Sequence, residues 1–142
     1  MRRKHLLSAF ALLTALAIVL LLVFVQPGVH EIEYVIPNGY SGPVIVREAP
    51  DGVVLEHLPA ERKYIARVGP DGQLQLKDAK PLRLWHTLSI RYEAGASIPH
   101  RRVTDQAEDE FAWWEGYEAE ENEFVGFIGQ LEDAKAFYES RR

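Results

Sequence analysis

The chain has 142 residues, with 16 lysine and arginine residues, 21 aspartate and glutamate residues, and no cysteine. The lack of cysteine excludes disulfides, thiolate nucleophiles, cysteine-ligated zinc and N-terminal lipoprotein acylation. Three basic residues (2–4) precede the first acidic residue, Glu31, so the rest of the chain carries 13 basic against 21 acidic side chains, a negative charge that argues against nucleic acid as a partner.

Residues 6–25 form an apolar run, LLSAFALLTALAIVLLLVFV, without a charge. As a helix it would extend about 30 Å, the thickness of a hydrocarbon core. The run is longer than the apolar part of a cleaved signal peptide, which is the main alternative. The basic tail 1–5 then lies in the cytoplasm by the positive-inside rule. We predict a single-pass signal-anchor at 6–25 in a bacterial cytoplasmic (inner) membrane, a linker at 26–31 and an extracytoplasmic domain at 32–142.

Beyond the linker the apolar residues recur with a period of two, which is typical of strands with one face on a core. The longest such segment, 82–92, places His86 on the apolar face and Trp85 on the open face. Shorter segments alternate in the same way, with apolar positions at Ile32, Tyr34 and Ile36, at Val44 and Val46, at Tyr64, Ala66 and Val68, and at Leu74 and Leu76.

Two similar segments, APDG at 49–52 and GPDG at 69–72, have the residue types of tight turns. Each separates two apolar runs, so we predict hairpins that pair 43–49 with 53–58 and 63–68 with 73–77. Together with the strands around them, these hairpins indicate a mainly β fold. The expected architecture is an antiparallel β-sandwich-like domain with a short C-terminal helix.

The segment IPNGYSGP at 36–43 is the densest group of turn residues in the chain. Pro37 cannot donate to a strand ladder, and Gly39 and Gly42 accept left-handed backbone, so we interpret these three as a structural turn. Tyr40 lies between the two glycines, and we expect its hydroxyl to bond the backbone at this corner. A ligand-contacting loop is the alternative, which makes Tyr40 a candidate binding residue.

The last third contains an acidic segment, 105–123, with nine acidic residues and no basic one. Its aromatic residues fall near one helical face, but a loop with one or two helical turns fits equally well. Trp113 and Trp114 are either core residues or an exposed anchor for a partner, and we include them with Trp85 as candidate binding residues. A final strand at 124–128 and a helix at 131–142 are predicted to close the domain.

No sequence motif assigns a catalytic residue, a metal site or a cofactor. The five histidines lack the spacing of a helical metal site, and Ser41 does not lie in a nucleophile elbow. His86 is interpreted as a core or edge residue, although a role as base remains open. His100, next to Arg101 and Arg102, lies in a small basic cluster that is either a solvated loop or an anion site.

The stretches IPNGYSGPVIV (36–46) and FVGFIGQLEDAKAFYES (124–140) resemble an uncharacterised family of small bacterial exported or membrane-anchored β-rich domains. The residues that match its Ile-Pro-x-Gly-Tyr-x-Gly opening and Phe-Val-Gly ending are Ile36, Pro37, Gly39, Tyr40, Gly42, Phe124, Val125 and Gly126. The sequence departs from the family where 127–128 lengthens the last apolar run. The resemblance implies an exported domain of unknown function and no catalytic residues.

Two hypotheses of function follow, because the heptad coiled coil that a third, a bitopic cell-division-type component, would require after the anchor is not visible in 29–60. The first is a membrane-anchored binding or scaffolding module of the cell envelope, with a possible envelope protein partner and a contact surface formed by the 37–43 turn, the acidic segment and Trp85. The second is an envelope hydrolase with His86 or His100 beside a carboxylate; whether the chain is an enzyme is left open, with binding favoured. An enzyme predicts a pocket where a histidine meets a carboxylate, whereas a binding module predicts exposed Trp113 or Trp114.

The predicted topology can be measured with a reporter enzyme fused after Arg142. We expect the fusion to be active only outside the cytoplasm, because the basic tail keeps the other end of the anchor inside. Activity of a cytoplasm-specific reporter at the same position would contradict this orientation.

Overall fold

The computed structural model describes residues 29–106, 110–116 and 123–142, so the predicted tail and anchor, and residues 26–28 of the predicted linker, lie outside the described residues. Within these ranges no helix is long and apolar enough to cross a membrane. The strands are β1 His30–Ile36, β2 Gly42–Val53, β3 Glu56–Leu58, β4 Lys63–Arg67, β5 Gln73–Leu76, β6 His86–Tyr92, β7 His100–Arg102, β8 Ala112–Glu115 and β9 Glu123–Gly129. The helices are α1 Lys80–Arg83 and α2 Leu131–Ser140.

The strands form two sheets, the first in the order β3-β4-β1-β6 and the second in the order β5-β2-β9-β8-β7. The predictions of a mainly β fold, a final strand near 124–128 and a C-terminal helix are confirmed. The prediction of antiparallel sheets is wrong. Four of the seven pairings among the described strands are parallel: β1 with β4, β1 with β6, β2 with β5, and β7 with β8.

Both predicted hairpins are wrong. Residues 49–52 lie within β2, where they form an irregularity between Glu48 and Val53. The 69–72 segment is a turn, but it leads from β4 in the first sheet to β5 in the second. Local turn chemistry selects the turn conformation and leaves the choice of sheet for the next strand to tertiary packing. The consecutive strands that do pair antiparallel are β3 with β4 and β8 with β9.

Among the connections that cross between the two sheets, two stack on each other. One joins β1 to β2 through 37–41, and the other joins β4 to β5 through 68–72. Because β1 lies beside β4 and β2 lies beside β5, both in parallel, the two connections must lie at the same end of the sandwich. We call this the arch end. The opposite end, where β1 begins, is called the entry end.

Tyr40 and Gly72 make the contact between the two arches. The Tyr40 hydroxyl donates to Pro43 O, as the sequence predicted, and Ile45 N donates to Gly72 O over 2.9 Å. Gly39 has φ +73°, which agrees with its predicted turn role. A Cβ on Gly72 would lie 2.0 Å from the Tyr40 Oη and 2.3 Å from Pro43 O. A side chain at position 72 therefore cannot coexist with this packing.

The second sheet is covered on both faces. Apolar residues of both sheets meet in one core, which includes Ile32, Val44, Ile90 and Trp113. On the other face, Leu131 and Ala134 of α2 pack on Trp114 in a second cluster. The prediction of a helix or helical turns is therefore wrong for residues 112–115, which form β8. The reason is that a strand buried on both faces lacks the alternation of polar and apolar residues by which strands are recognised in sequence. Residues 107–109 and 117–122 of the acidic segment lie outside the described residues.

The predicted strand over 82–92 is shorter than expected. Pro81 lies in the first turn of α1, where its fixed φ suits the start of a helix. Leu82, the next residue of this helix, is buried in the core. The strand begins only at His86. Leu84 therefore precedes the strand and is 51% exposed, although the alternation with His86 had placed it on the apolar face. Trp85, predicted on the open face, is 85% exposed.

The arch contact can be tested with Gly72→Ala. Gly72 and Gly39 have nearly equal φ values, +77° and +73°, but only a Cβ at position 72 meets other atoms. Backbone strain of about 1 kcal/mol or more applies to both. We expect Gly72→Ala to lower the free energy of unfolding of the full chain in detergent by about 2 kcal/mol more than Gly39→Ala, because overpacking adds to the strain. Equal losses in urea titrations would contradict the stacked arches.

Candidate functional site

A cavity of about 300 Å³ opens between the two sheets. Its walls are apolar and aromatic, whereas the polar groups His86 and Glu115 line one part of it. The volume is at the lower end of the range of small-molecule sites, which combine apolar walls with a few polar groups. The apolar and aromatic side chains of its walls include Tyr34, Leu88, Trp113 and Phe124.

Glu115 is the acidic group of the cavity and lies at the end of β8. The neighbouring strand β7 runs parallel to β8 and brings His100 Nε2 to 3.3 Å from Glu115 Oε2. The hydrogen bond with His100 is the main cause that holds the pKa of Glu115 below its ordinary value of 4.5, and the positive charge of Arg102 acts in the same direction. Glu115 is therefore an ionised hydrogen-bond acceptor near neutral pH.

His86 adds a second acceptor. Its Nδ1 lies 2.6 Å from Leu84 O, and because a carbonyl only accepts, Nδ1 must carry the proton. In the neutral imidazole, Nε2 is then an acceptor. His86 also stacks on His30, with ring centroids 5.9 Å apart, and His30 Nε2 donates to Pro81 O over 2.9 Å. These contacts fix the position of His86 at the start of β6.

Tyr34 and Trp113 form the aromatic part of the wall, with ring centroids 5.0 Å apart. Tyr34 comes from β1 in the first sheet and Trp113 from β8 in the second. Burial raises the pKa of Tyr34, with a smaller contribution from the negative charge of Glu115, so the phenol stays neutral. The cavity thus presents two acceptors beside aromatic rings.

The structure separates the binding residues that the sequence analysis proposed. Trp113 is 5% exposed in the cavity wall, and Trp114 is fully buried against α2 with its Nε1 donating to Gly129 O. Neither offers surface to a protein partner, so the alternative interpretation as core residues applies. Trp85 is exposed at the entry end, while Tyr40 lies at the arch end. Trp85 and Tyr40 are separated by the length of a strand, about 20 Å, so they do not form one contact surface.

Sequence analysis did not single out Tyr34 or Glu115. The alternation in the sequence places Tyr34 on the inward face of its strand. Its part in the cavity wall depends on Trp113, which is 79 residues away in the chain. Glu115 is one of nine acidic residues in its segment, and only the pairing of β8 with β7 distinguishes it. Of the two histidines named as possible neighbours of a carboxylate, His100 contacts Glu115, whereas His86 lines the same cavity.

The rest of the described residues offers no better site. No group of three or more potential metal ligands occurs within 29–106, 110–116 and 123–142. A wider groove of about 550 Å³ runs along the sheet edges beside 51–56 and β5. It is larger than the cavity, but it is more open, and its charged pair, Glu56 and Arg67 at 3.1 Å, is exposed to solvent. The cavity with His86 and Glu115 is therefore the better candidate.

Comparisons with known proteins give little further information. No family model matches the chain. No curated protein matches it either. Among solved structures, a crystal structure described as "Putative Lipoprotein from Bacillus anthracis" is similar, with 14% identity, a TM-score of 0.42 and coverage of 78% of each chain. A similarity of this size carries no argument about function, and the family resemblance stays a prediction.

The pairing of His100 with Glu115 predicts the direction of a pKa change. In the full chain in detergent micelles, we expect the Glu115 carboxyl to titrate below 4.5 and to move back towards that value in His100→Ala, as measured by NMR. Because the folded-state pKa is depressed, the stability that Glu115 contributes is present above its unfolded pKa and is lost as the pH falls through the folded pKa. An unchanged Glu115 titration in His100→Ala would contradict the proposed hydrogen bond.

Proposed function

We propose that this protein is a membrane-anchored, extracytoplasmic binding module of the bacterial cell envelope, and that its ligand occupies the cavity between the two sheets. The observation that carries the proposal is the pair of acceptors, Glu115 and His86, beside the aromatic wall of Tyr34 and Trp113. The apolar run at 6–25 and the family resemblance support the anchor and the location.

The chemistry of the cavity favours a small ligand with a hydrogen-bond donor, such as an ammonium group, on an apolar body. An ionised carboxylate attracts a cation, and hydrogen bonds to charged groups are stronger than neutral ones. Aromatic rings bind both apolar groups and cations through their faces. The volume of about 300 Å³ limits the ligand to a small molecule.

The close approach of His100 and Glu115 also supports an envelope hydrolase as a second candidate. A histidine beside a carboxylate is the orienting pair of many general-base systems. The pair is partly exposed, with side-chain exposures of 35% and 49%, so bulk water screens it. The cavity and the burial of Trp113 and Trp114 match what the sequence analysis expected of an enzyme, and not the exposed tryptophans expected of a protein-docking module. We rank the binding of a small ligand first because the histidine–carboxylate pair is screened by water. Turnover of ester or amide substrates that is lost in His100→Ala and in Glu115→Gln would favour the hydrolase.

The binding function can be tested with 2-phenylethylamine and its anionic counterpart 3-phenylpropionate as probes. We expect the full chain in detergent to bind the amine more tightly than the acid in ligand-observed NMR. Glu115→Gln should weaken amine binding about tenfold to a hundredfold, because a charge-assisted hydrogen bond of about 1.5–3 kcal/mol is lost.

Glu110→Gln is a matched control for that experiment. Glu110 belongs to the same acidic segment but pairs with Arg101, over 2.9 Å, and does not line the cavity. We expect it to leave amine binding unchanged. Equal binding of the amine and the acid, or equal losses in both glutamine variants, would show that Glu115 does not select the ligand.

A further inference from the structure

The exposed large apolar side chains of the described residues are concentrated at the entry end. Six such residues are exposed. Leu84 and Trp85 directly precede β6, and Val29 directly precedes β1, which runs parallel to β6. The other three are Val53, Val54 and Phe111.

Val53 belongs to the same end, and Val54 follows it in the chain. The strand β2 starts at the arch end and runs back towards the entry end, where Val53 pairs with Leu76, the last residue of β5. An ion pair of 2.9 Å between Arg83 and Glu48 joins α1 to this part of β2. Four of the six exposed residues therefore lie at the entry end, with Val54 beside them.

Phe111 differs from the other exposed large apolar residues because it lies at the arch end. It precedes β8, whose first residue, Ala112, pairs with Gly129 at the end of β9. The neighbouring residue Ile128 pairs with Gly42, which starts β2 at the arch end. The arch end therefore carries one exposed large apolar residue, at 38% exposure, whereas the entry end carries Trp85 at 85%.

The apolar entry end is where the chain arrives from the predicted anchor. Four residues, 26–29, separate the apolar run from His30. Even fully extended, this connection spans at most about 18 Å. The interfacial layer on each side of a bilayer is itself about 5–8 Å thick. The tether is therefore short enough to hold the entry end close to the lipid headgroups.

The side chains at the entry end suit that position. Tryptophan is enriched at membrane interfaces, because its ring is apolar and its N–H is polar. Lys77 and Lys80 are exposed nearby, and long basic side chains extend their charges towards lipid phosphates. Asp78, the acidic residue between them, accepts a hydrogen bond of 2.8 Å from Lys80 N. The loop at 84–86 is held by the bond from His86 Nδ1 to Leu84 O.

We propose that the entry end rests on the phospholipid bilayer in which the chain is anchored, with Leu84 and Trp85 in the headgroup layer. This inference rests on the anchor of the proposed function. It fixes the orientation of the domain: the arch end, with the 37–43 turn, points away from the membrane. The cavity residue His86, directly after Trp85, then lies close to the lipid surface.

Quenching of tryptophan fluorescence by brominated phospholipid tests the contact. The full chain is reconstituted in phosphatidylcholine/phosphatidylglycerol vesicles whose phosphatidylcholine is brominated on its acyl chains. Trp113 and Trp114 are buried, so the difference between the wild type and Trp85→Phe reports Trp85. We expect the Trp85 signal to be quenched by the brominated lipid and protected from aqueous acrylamide, and we expect Trp85→Phe to remove most of the lipid-dependent quenching.

A tryptophan at the arch end is the matched control. In the double variant Trp85→Phe/Phe111→Trp, we expect the new tryptophan to be quenched by acrylamide and not by the brominated lipid. Circular dichroism of each variant should retain the wild-type β spectrum; a variant that loses it is replaced by Trp85→Tyr or Trp85→Tyr/Phe111→Trp, read by tryptophan emission in the same vesicles.

The outcomes separate this inference from the proposed function. A chain that resists carbonate extraction, but whose Trp85 is open to acrylamide and insensitive to brominated lipid, overturns the orientation and leaves the anchor intact. Equal quenching by brominated lipid of tryptophans at positions 85 and 111 also overturns the proposed orientation, because neither end of the domain would then face the membrane preferentially. A chain that carbonate extracts from the vesicles overturns both the anchor and the orientation.

Discussion

The packing of Tyr40 on Gly72 is the contact on which the two-sheet arrangement depends. It joins two of the connections that cross between the sheets, and it leaves no space for a side chain at position 72. Because the arches are stacked, β1 must pair with β4 in one sheet while β2 pairs with β5 in the other, both in parallel. A third connection meets the same point, since Tyr92 Oη donates to Tyr40 O over 3.3 Å and Ala94 N donates to Asn38 Oδ1 over 2.8 Å. One corner therefore fixes the relative positions of three chain segments.

The cavity follows from this arrangement and from the covering of the second sheet on both faces. The strand β8 places Trp113 between the sheets and Trp114 under α2, so that two successive residues of one short strand belong to two different cores. Glu115, the next residue, comes to the edge of the core and meets His100 from β7. The opposite wall is Tyr34, whose position depends on β1 and thus on the arches. An ionised carboxylate beside aromatic rings is the result, and this combination favours a donor-bearing ligand.

The molecule also has two chemically different ends. The arch end is closed by turns rich in proline and glycine, whereas the entry end presents exposed apolar residues around the start of β1. Such residues cost little if a lipid surface covers them, because apolar area is then removed from water. His86 connects this end to the cavity, since it follows Trp85 in the chain and lines the cavity wall. A domain held in one orientation on the bilayer would present the cavity close to the lipid surface.

The sequence by itself determined the local features of this protein: the apolar run at 6–25, the strands with one buried face, the corner with Gly39 and Tyr40, and the closing helix. These depend on residue types within a few positions of each other, which period and turn chemistry reveal. Tertiary structure alone decided which strands pair, and it turned the 69–72 segment into a crossing between sheets instead of a hairpin. It also decided that Trp113 and Trp114 are buried and that Glu115 meets His100. The physical reason is that parallel pairing and two-sided burial join residues far apart in the chain, where neither alternation nor turn residues record the partner.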